Sequence, residues 1–289
     1  PCLEPVFHAD SYGYRPGRSA IDAVRQTRQR CWRYDFVLDI DVKGYFDSID
    51  WELLLKAVRH HTGCPWVLLY IERWLKVPVQ MEDSRVVPRR AGTPQGGVIS
   101  PLLANLLLHY AFDMWMTRNY PHIPFERYAD DIVCHCKSAE AAQALRCVLR
   151  DRFAACKLEL HPEKTKIVYC KDANRRGDYA HTSFDFLGFT FRARKTVWLG
   201  RIHTHGFLPA ASRKALTAIS RTIRRWSLHL RSNEAPEDLA KFANMHIRGW
   251  INYFGNFYRT ELRPTLKRID LYVIRWARRK FKRLRRKTK

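Results

Sequence analysis

The sequence predicts an α+β fold followed by an all-helical one. Hydrophobic alternation of period two, typical of strands, recurs between helical stretches up to about residue 206, whereas only helical periodicity remains from Pro209 onward. The charge changes at the same place, because residues 207–289 contain 22 Lys or Arg and 5 acidic residues, but residues 1–206 contain 30 and 23. We therefore expect two domains, 1–206 and 207–289.

Local patterns place the individual elements along the chain. A helix is expected at about 19–32, and the alternating run 36–42 indicates a strand. Pro101 suits the first turn of an apolar helix over 102–116. Further helices are predicted at about 51–61, 65–76 and 139–155, a hairpin at 125–136, and strands near 157–170, 184–192 and 196–203. Three basic helices follow at about 210–229, 236–259 and 263–284.

The composition limits the class of protein. With 46% hydrophobic residues the chain can bury a core, which excludes a wholly disordered protein. A formal net charge of +24 indicates a polyanionic partner, most commonly nucleic acid. The sequence contains no run of about 18 apolar residues that would predict a membrane span. Its eight cysteines form no C-x-x-C pair, which indicates reduced thiols and a reducing compartment. Because the sequence opens on Pro1 rather than Met, we expect a fragment.

Four carboxylates form the candidate chemistry of the first domain. Asp39 and Asp41 lie two residues apart on a predicted strand and therefore project from the same face. Asp130 and Asp131 occupy the turn of the predicted hairpin. Such oxygen ligands suit Mg²⁺, and two ions about 3.5–4 Å apart can support phosphoryl transfer. The alternative for Asp130 and Asp131 is a solvated turn.

Six blocks of sequence, taken in chain order and including three of the carboxylates above, give the chain a family resemblance. It resembles the reverse transcriptases encoded by mobile group II introns. The matching stretches are Ser11–Ser19, Asp41–Asp47, Gly92–Asn105, Tyr128–Asp131, Leu158–Thr165 and Phe186–Phe189, while Arg248–Phe254 looks like the core of the maturase-specific domain. The resemblance implies a right-hand polymerase with partial fingers and a palm over 1–206, then a three-helix thumb and maturase domain over 207–289.

The resemblance also implies a function. An RNA-directed DNA polymerase of this kind uses two Mg²⁺ ions and assists intron splicing and retrohoming. Its partners are intron RNA, an RNA template, a DNA primer and target DNA. The resemblance also allows a homodimer and implies a location in the bacterial cytoplasm. The alternatives are a splicing maturase without polymerase activity and a domesticated reverse transcriptase, such as a CRISPR-associated one.

Roles at the reaction centre follow from the same resemblance. Asp41, Asp130 and Asp131 are the expected catalytic, metal-binding carboxylates, with Asp39 as a rival of Asp41 that more plausibly supports the strand. Lys164 is expected to protonate or neutralise the departing pyrophosphate. A solvated lysine in a turn is the alternative for Lys164.

Two elements are expected to contact the incoming nucleotide. Phe46 would exclude the 2′-hydroxyl of a ribonucleotide, and a core aromatic residue is the alternative. Gly92, Gln95 and Gly96 resemble the element that packs against the template–nucleotide pair. A glycine turn capping a helix is compatible with that role.

Basic residues are the candidate contacts to nucleic acid. They are Arg15, Arg18, Arg248, Arg275, Arg278, Arg279 and Lys282. For Arg15 and Arg18 the alternative is simple exposure beside a turn. The aromatic residues of the last third are expected to form a helical core rather than to stack on bases; they are Trp226, Trp250, Tyr253, Phe254, Phe257 and Tyr258.

Overall fold

A computed structural model describes residues 3–80, 83–94, 96–198 and 201–284. The chain divides into two compact units, Pro1–Thr182 and Ser183–Lys289. This boundary differs from the one predicted after residue 206, because a strand over Arg201–Ala211 crosses the predicted position. The change in charge therefore does not coincide with the change in packing.

The first unit alternates helices and strands. Its helices are α1 (Ala20–Cys31), α2 (Tyr45–Ser48), α3 (Trp51–His61), α4 (Pro65–Lys76), α5 (Ser100–Leu108), α6 (Met114–Asn119) and α7 (Ala139–Ala155). Its strands are β1 (Phe36–Ile40), β2 (Val79–Gln80), β3 (Val86–Val87), β4 (Phe125–Tyr128), β5 (Asp131–Cys136) and β6 (Lys166–Tyr169). The expected hairpin and the helices at 19–32, 51–61, 65–76 and 139–155 are confirmed. Helix α2 and the β2–β3 pair were not predicted, because each is too short to show a periodicity.

A four-stranded antiparallel sheet lies at the centre of this unit, in the order β4-β5-β1-β6. Central strand β1 is buried at every position except Asp39. Helix α7 packs on the sheet through residues at helical spacing, and its Leu145, Leu149 and Phe153 are almost fully buried. Burial of this apolar face fixes the strands whose ends carry the carboxylates.

One long helical segment runs from Ser100 to Asn119. Pro101 stands in its first turn, as predicted, and a π-helical stretch over His109–Asp113 joins α5 to α6. Such wider turns often accompany functional sites. Here the stretch ends at Asp113, a fully buried carboxylate.

The second unit joins an antiparallel sheet to three helices. Its strands are β7 (Ser183–Phe186), β8 (Phe189–Trp198) and β9 (Arg201–Ala211), and its helices are α8 (Arg213–Arg225), α9 (Pro236–Phe254) and α10 (Arg263–Lys280). The three predicted basic helices are thus confirmed, but the unit as a whole is not purely helical. None of the helices in the described ranges has the length and apolarity that a bilayer crossing needs.

Aromatic residues of the second unit pack as expected. Trp226 is buried in the helical core, with the Trp250 ring stacked on it at 5.4 Å. Phe189, which begins β8, meets Phe254 and Phe257 at ring distances of 5.4 Å. These contacts tie the sheet to α9 and explain why β7–β9 belong with the helices.

Candidate active site

The register of the central sheet brings the predicted carboxylates to one edge. Ile40 of β1 pairs with Ile132 of β5 at the end of the antiparallel ladder. Asp41 follows Ile40 and Asp131 precedes Ile132, so the two acids stand at the same end of the sheet. Asp130 lies beside them in the β4–β5 turn. The structure thus places the three predicted acids at one end of the sheet, and their shared role stays a prediction.

The crowding of negative charge changes the acidity of this edge. Asp131 reaches solvent but is closely surrounded by protein, and the loss of hydration, followed by the charges of Asp130 and Asp41, raises its pKa to about 6. Partial burial and the charge of Asp41 also raise the pKa of Asp130. The charge of Asp41 thus makes both Asp130 and Asp131 harder to ionise, and a cation would relieve this repulsion.

Lys164 supplies one positive charge to this edge. Its Nζ lies 3.4 Å from Oδ2 of Asp41. Backbone hydrogen bonds hold its loop against β1, because the N–H of His161 donates to the Asp41 carbonyl at 2.8 Å and that of Lys43 donates to the Glu159 carbonyl at 2.9 Å. Lys164 therefore lies beside Asp41, and its expected action on pyrophosphate stays a prediction.

The donor set fits a hard cation in its chemistry. Asp41, Asp130 and Asp131 offer only carboxylate oxygens, the ligands that Mg²⁺ prefers. Across residues 3–80, 83–94, 96–198 and 201–284, however, no three or more His, Cys, Asp or Glu side chains are already grouped as a metal site. The three acids would have to close around an ion.

Asp39 lies further inside the sheet. It pairs with Val133 of β5 and with Lys166 of β6. Two strands therefore flank Asp39, whereas Asp41 stands beyond the last ladder pair. Asp41 therefore lies at the end of the sheet near Asp130 and Asp131, and Asp39 does not.

Helix α2 and the glycine-rich segment are held together by backbone contacts. The N–H of Gly92 donates to the Ile49 carbonyl, and that of Thr93 to the Phe46 carbonyl, each at 2.7 Å. A Cβ on Gly92 would lie 2.6 Å from the Phe46 carbonyl oxygen and 2.8 Å from Cα of Asp47, so only glycine permits this approach. Phe46 itself is half-buried, with its ring 5.6 Å from that of Tyr45.

Gly96 and Gln95 are the other residues of the segment expected to pack against the template–nucleotide pair. Gly96 is exposed and has a φ of +86°, which favours glycine although a Cβ there would meet nothing within 4 Å. Gln95 lies outside the described residues. The structure thus brings Phe46 and Gly92 together, and the role of Gln95 stays a prediction.

A buried network that sequence analysis missed supports the Asp130 turn. Arg127 is fully buried, and its Nε and Nη2 donate to Asp113 at 2.7 and 2.6 Å. Its Nη1 donates to Oδ1 of Asn105 at 2.9 Å and to the Ala129 carbonyl at 3.1 Å. Ala129 adopts a φ of +55°, so this bond anchors a strained residue next to Asp130. The signal in the sequence that could have indicated this network is the presence of Arg127 and Asp113, two charged residues, within largely apolar segments.

Asn105 extends this network to the Ser11–Ser19 block. Its amide nitrogen donates to the Gly13 carbonyl at 2.6 Å. A Cβ on Gly13 would lie 2.5 Å from the nitrogen of Ala129, so this block packs directly on the turn. Three of the sequence blocks therefore meet behind Asp130.

Arg15 corrects one sequence-based expectation. Its side chain is 6% exposed and lies 2.7 Å from a Glu4 carboxylate oxygen. The same guanidinium donates to the carbonyls of His8 and Ser11 at 2.6 Å. Its donors are used inside the protein, so Arg15 serves structure rather than contact with nucleic acid. Arg18, by contrast, is exposed, with its guanidinium 5.8 Å from the Tyr12 ring centre.

The other predicted nucleic-acid contacts are exposed. They lie on α9 and α10 or just after, and they are Arg248, Arg275, Arg278, Arg279 and Lys282. Arg275 stands over the Tyr272 ring at 5.7 Å. Such exposed cations on helices are suited to phosphate contact.

Comparison with known families divides the sequence in two. A family model described as reverse transcriptase (RNA-dependent DNA polymerase) matches residues 1–191. A second, described as group II intron, maturase-specific domain, matches residues 216–289.

Individual proteins show the same similarity. Protein YkfC of Escherichia coli is 28% identical over 268 residues, an alignment that covers 80% of this chain and 67% of that protein. The group II intron-encoded protein LtrA of Lactococcus lactis is 35% identical over 106 residues, which cover 37% of this chain but only 18% of LtrA. A solved telomerase from Candida albicans matches 93% of this chain and 48% of its own with a TM-score of 0.51 and 12% identity, a likeness of fold alone.

Proposed function

Because the chain belongs to the reverse transcriptase (RNA-dependent DNA polymerase) family, we propose that it extends a DNA primer on an RNA template. One observation carries the proposal: Asp41, Asp130 and Asp131 meet at one sheet edge with Lys164 beside them. Clustered acids of this kind repel one another, and a protein that only binds RNA does not need them.

The reaction assigns a task to each group. The primer 3′-hydroxyl would release its proton to solvent water, its oxygen would form a bond to the α-phosphorus of a deoxynucleoside triphosphate, and the bond between that phosphorus and the pyrophosphate oxygen would break. Asp41, Asp130 and Asp131 would hold Mg²⁺, which when bound stabilises the charge on the attacking and leaving oxygens. Lys164, next to Asp41, would give its proton to the departing pyrophosphate.

Phe46 would set the choice of sugar. Its ring is half-buried, and its carbonyl accepts a hydrogen bond from the N–H of Thr93 at 2.7 Å. We expect Phe46→Val to raise the use of ribonucleotides relative to deoxynucleotides by about 10-fold or more, since the smaller side chain leaves room for the 2′-hydroxyl and a change of this size in a pocket alters discrimination by that much. Tyr45→Phe, which removes only a hydrogen bond to the Ala104 carbonyl, should leave the ratio unchanged.

Primer extension tests the polymerase directly. The chain, its Asp130→Asn variant and the control Asp270→Asn, an exposed residue of α10, are supplied with Mg²⁺, deoxynucleotides and an RNA template. We expect extension by the first and third proteins and a loss of at least about 100-fold in Asp130→Asn. Equal extension by all three proteins, or none by a folded chain that binds the template, would refute the proposal.

A maturase function is the second candidate. The match of residues 216–289 to the group II maturase-specific domain and the exposed cations of α9 and α10 favour it. We infer that this unit binds intron RNA and assists splicing in the cytoplasm, with target DNA as a further partner. Splicing assays with Asp130→Asn separate the functions, because RNA binding needs no carboxylate at that edge. A homodimer and CRISPR-associated use remain predictions.

A further inference from the structure

A basic pocket lies behind the loop that carries Lys164. It has a volume of about 300 Å³ and is lined by α7 and by the turn that follows Leu160. Helix α7 contributes Gln143, Arg146 and Arg150 to it. Since Arg146 and Arg150 are four residues apart, they lie on the same face of the helix. The turn contributes His161 and Thr165 to the lining.

His161 has one ring nitrogen already in use. Its Nδ1 accepts hydrogen bonds from the backbone N–H groups of Glu163 and Lys164, at 3.3 and 3.4 Å. In a neutral imidazole one nitrogen accepts and the other carries the proton. Nε2 of His161 therefore carries the proton and is a hydrogen-bond donor.

The charge of the pocket is positive. Its lining contains no carboxylate among the described residues, and within those ranges Arg146 forms no ion pair. Arg150 bonds to Asp151 at 3.0 Å, but both side chains are about 70% exposed, so this pair is weak. A planar guanidinium offers a fork of donors that matches phosphate oxygens.

We propose that this pocket binds a phosphate group through Arg146 and Arg150 of α7 and His161 of the turn. The phosphate can come from free pyrophosphate or from the backbone of bound nucleic acid, since both present the same oxygens. His161 also donates its backbone N–H to the Asp41 carbonyl at 2.8 Å. An anion on His161 would therefore steady the turn that places Lys164 beside Asp41, and this coupling rests on the proposed polymerase function.

Calorimetry without a metal tests the site independently of polymerisation. Inorganic pyrophosphate is titrated into the full chain, Arg146→Gln and the control Arg33→Gln, an exposed arginine outside the pocket. If the pocket binds free pyrophosphate, Arg146→Gln should weaken pyrophosphate binding at least about tenfold, the loss expected for one charge-assisted hydrogen bond. Arg33→Gln should leave pyrophosphate binding unchanged. Arg146→Lys, which keeps the charge but loses the fork, should lie between them and replaces Arg146→Gln if that variant does not fold.

A second arm identifies a backbone phosphate. Binding of an RNA–DNA duplex is measured over a range of salt concentrations. If the pocket holds a phosphodiester, Arg146→Gln should reduce the slope of log affinity against log salt by about 1. The affinity for pyrophosphate should then be the same in Arg146→Gln and in the parent. Unchanged pyrophosphate binding together with an unchanged salt slope would overturn the site. That result would leave primer extension, and hence the proposed function, unaffected.

Discussion

Arg127 and Asp113 form a fully buried ion pair, with Nη2 of the arginine 2.6 Å from Oδ2 of the aspartate. Burial alone would raise the pKa of Asp113, but the Arg127 charge and its hydrogen bonds outweigh burial and lower it. The same guanidinium holds the Ala129 carbonyl one residue before Asp130. A pair buried in the first unit therefore also anchors the turn that carries Asp130.

Breaking this pair should be strongly destabilising. Asp113→Asn leaves the Arg127 charge buried without a counter-charge, so we expect the free energy of unfolding to fall by about 3–5 kcal/mol. Urea denaturation measures the change. The matched control is Asp83→Asn, because Asp83 pairs with Arg85 at 2.6 Å on the exposed surface and should change stability by less than about 1 kcal/mol. Equal effects of the two variants would contradict this account.

The ionised carboxylate of Asp131 should lower the free energy of unfolding at neutral pH. Its folded-state pKa of about 6 lies above the unfolded value, so the folded state binds more protons between them and stability falls as the pH rises through this window. We expect Asp131→Asn, measured without metal, to match the parent near pH 3.5 and to exceed it in stability above about pH 6.

Urea denaturation at several pH values checks this prediction. Asp270→Asn, at an exposed position on α10, should show no such growth of the difference with pH. A constant difference between Asp131→Asn and the parent at all pH values would show that folding does not raise the pKa of Asp131.

Local sequence patterns predicted the strand ends that carry Asp41 and Asp130, but not the buried Arg127–Asp113 pair behind them. The alternation around Asp41 and the turn at Asp130 define the ends of two strands, and antiparallel pairing then brings them together. Arg127 and Asp113 meet across 14 residues through a chain reversal that no local period encodes. Arg15 looked like a surface cation because its partners, Glu4 among them, depend on the folding of a loop.

Gly92 and Gly96 should respond differently to the same substitution. Both have positive φ, so alanine at either site strains the backbone by about 1–2 kcal/mol. Only at Gly92 would the new Cβ also collide with the Phe46 carbonyl, 2.6 Å away. We expect Gly92→Ala to lose more stability than Gly96→Ala and, unlike it, to disturb the Phe46 backbone. Equal losses in thermal unfolding would argue against the close approach of the two segments.

Arg275 and Arg15 separate nucleic-acid contact from internal structure. Arg275→Gln removes an exposed cation of α10, so the slope of log affinity for RNA against log salt should fall by about 1 with no loss of stability. Arg15→Gln removes donors to Glu4, His8 and Ser11 and should instead lower the free energy of unfolding, by about 1–3 kcal/mol for groups left unpaired, with the slope unchanged. Salt-dependent RNA binding and urea denaturation of both variants give the comparison. A reduced salt slope in Arg15→Gln at unchanged stability would restore Arg15 as a contact to nucleic acid.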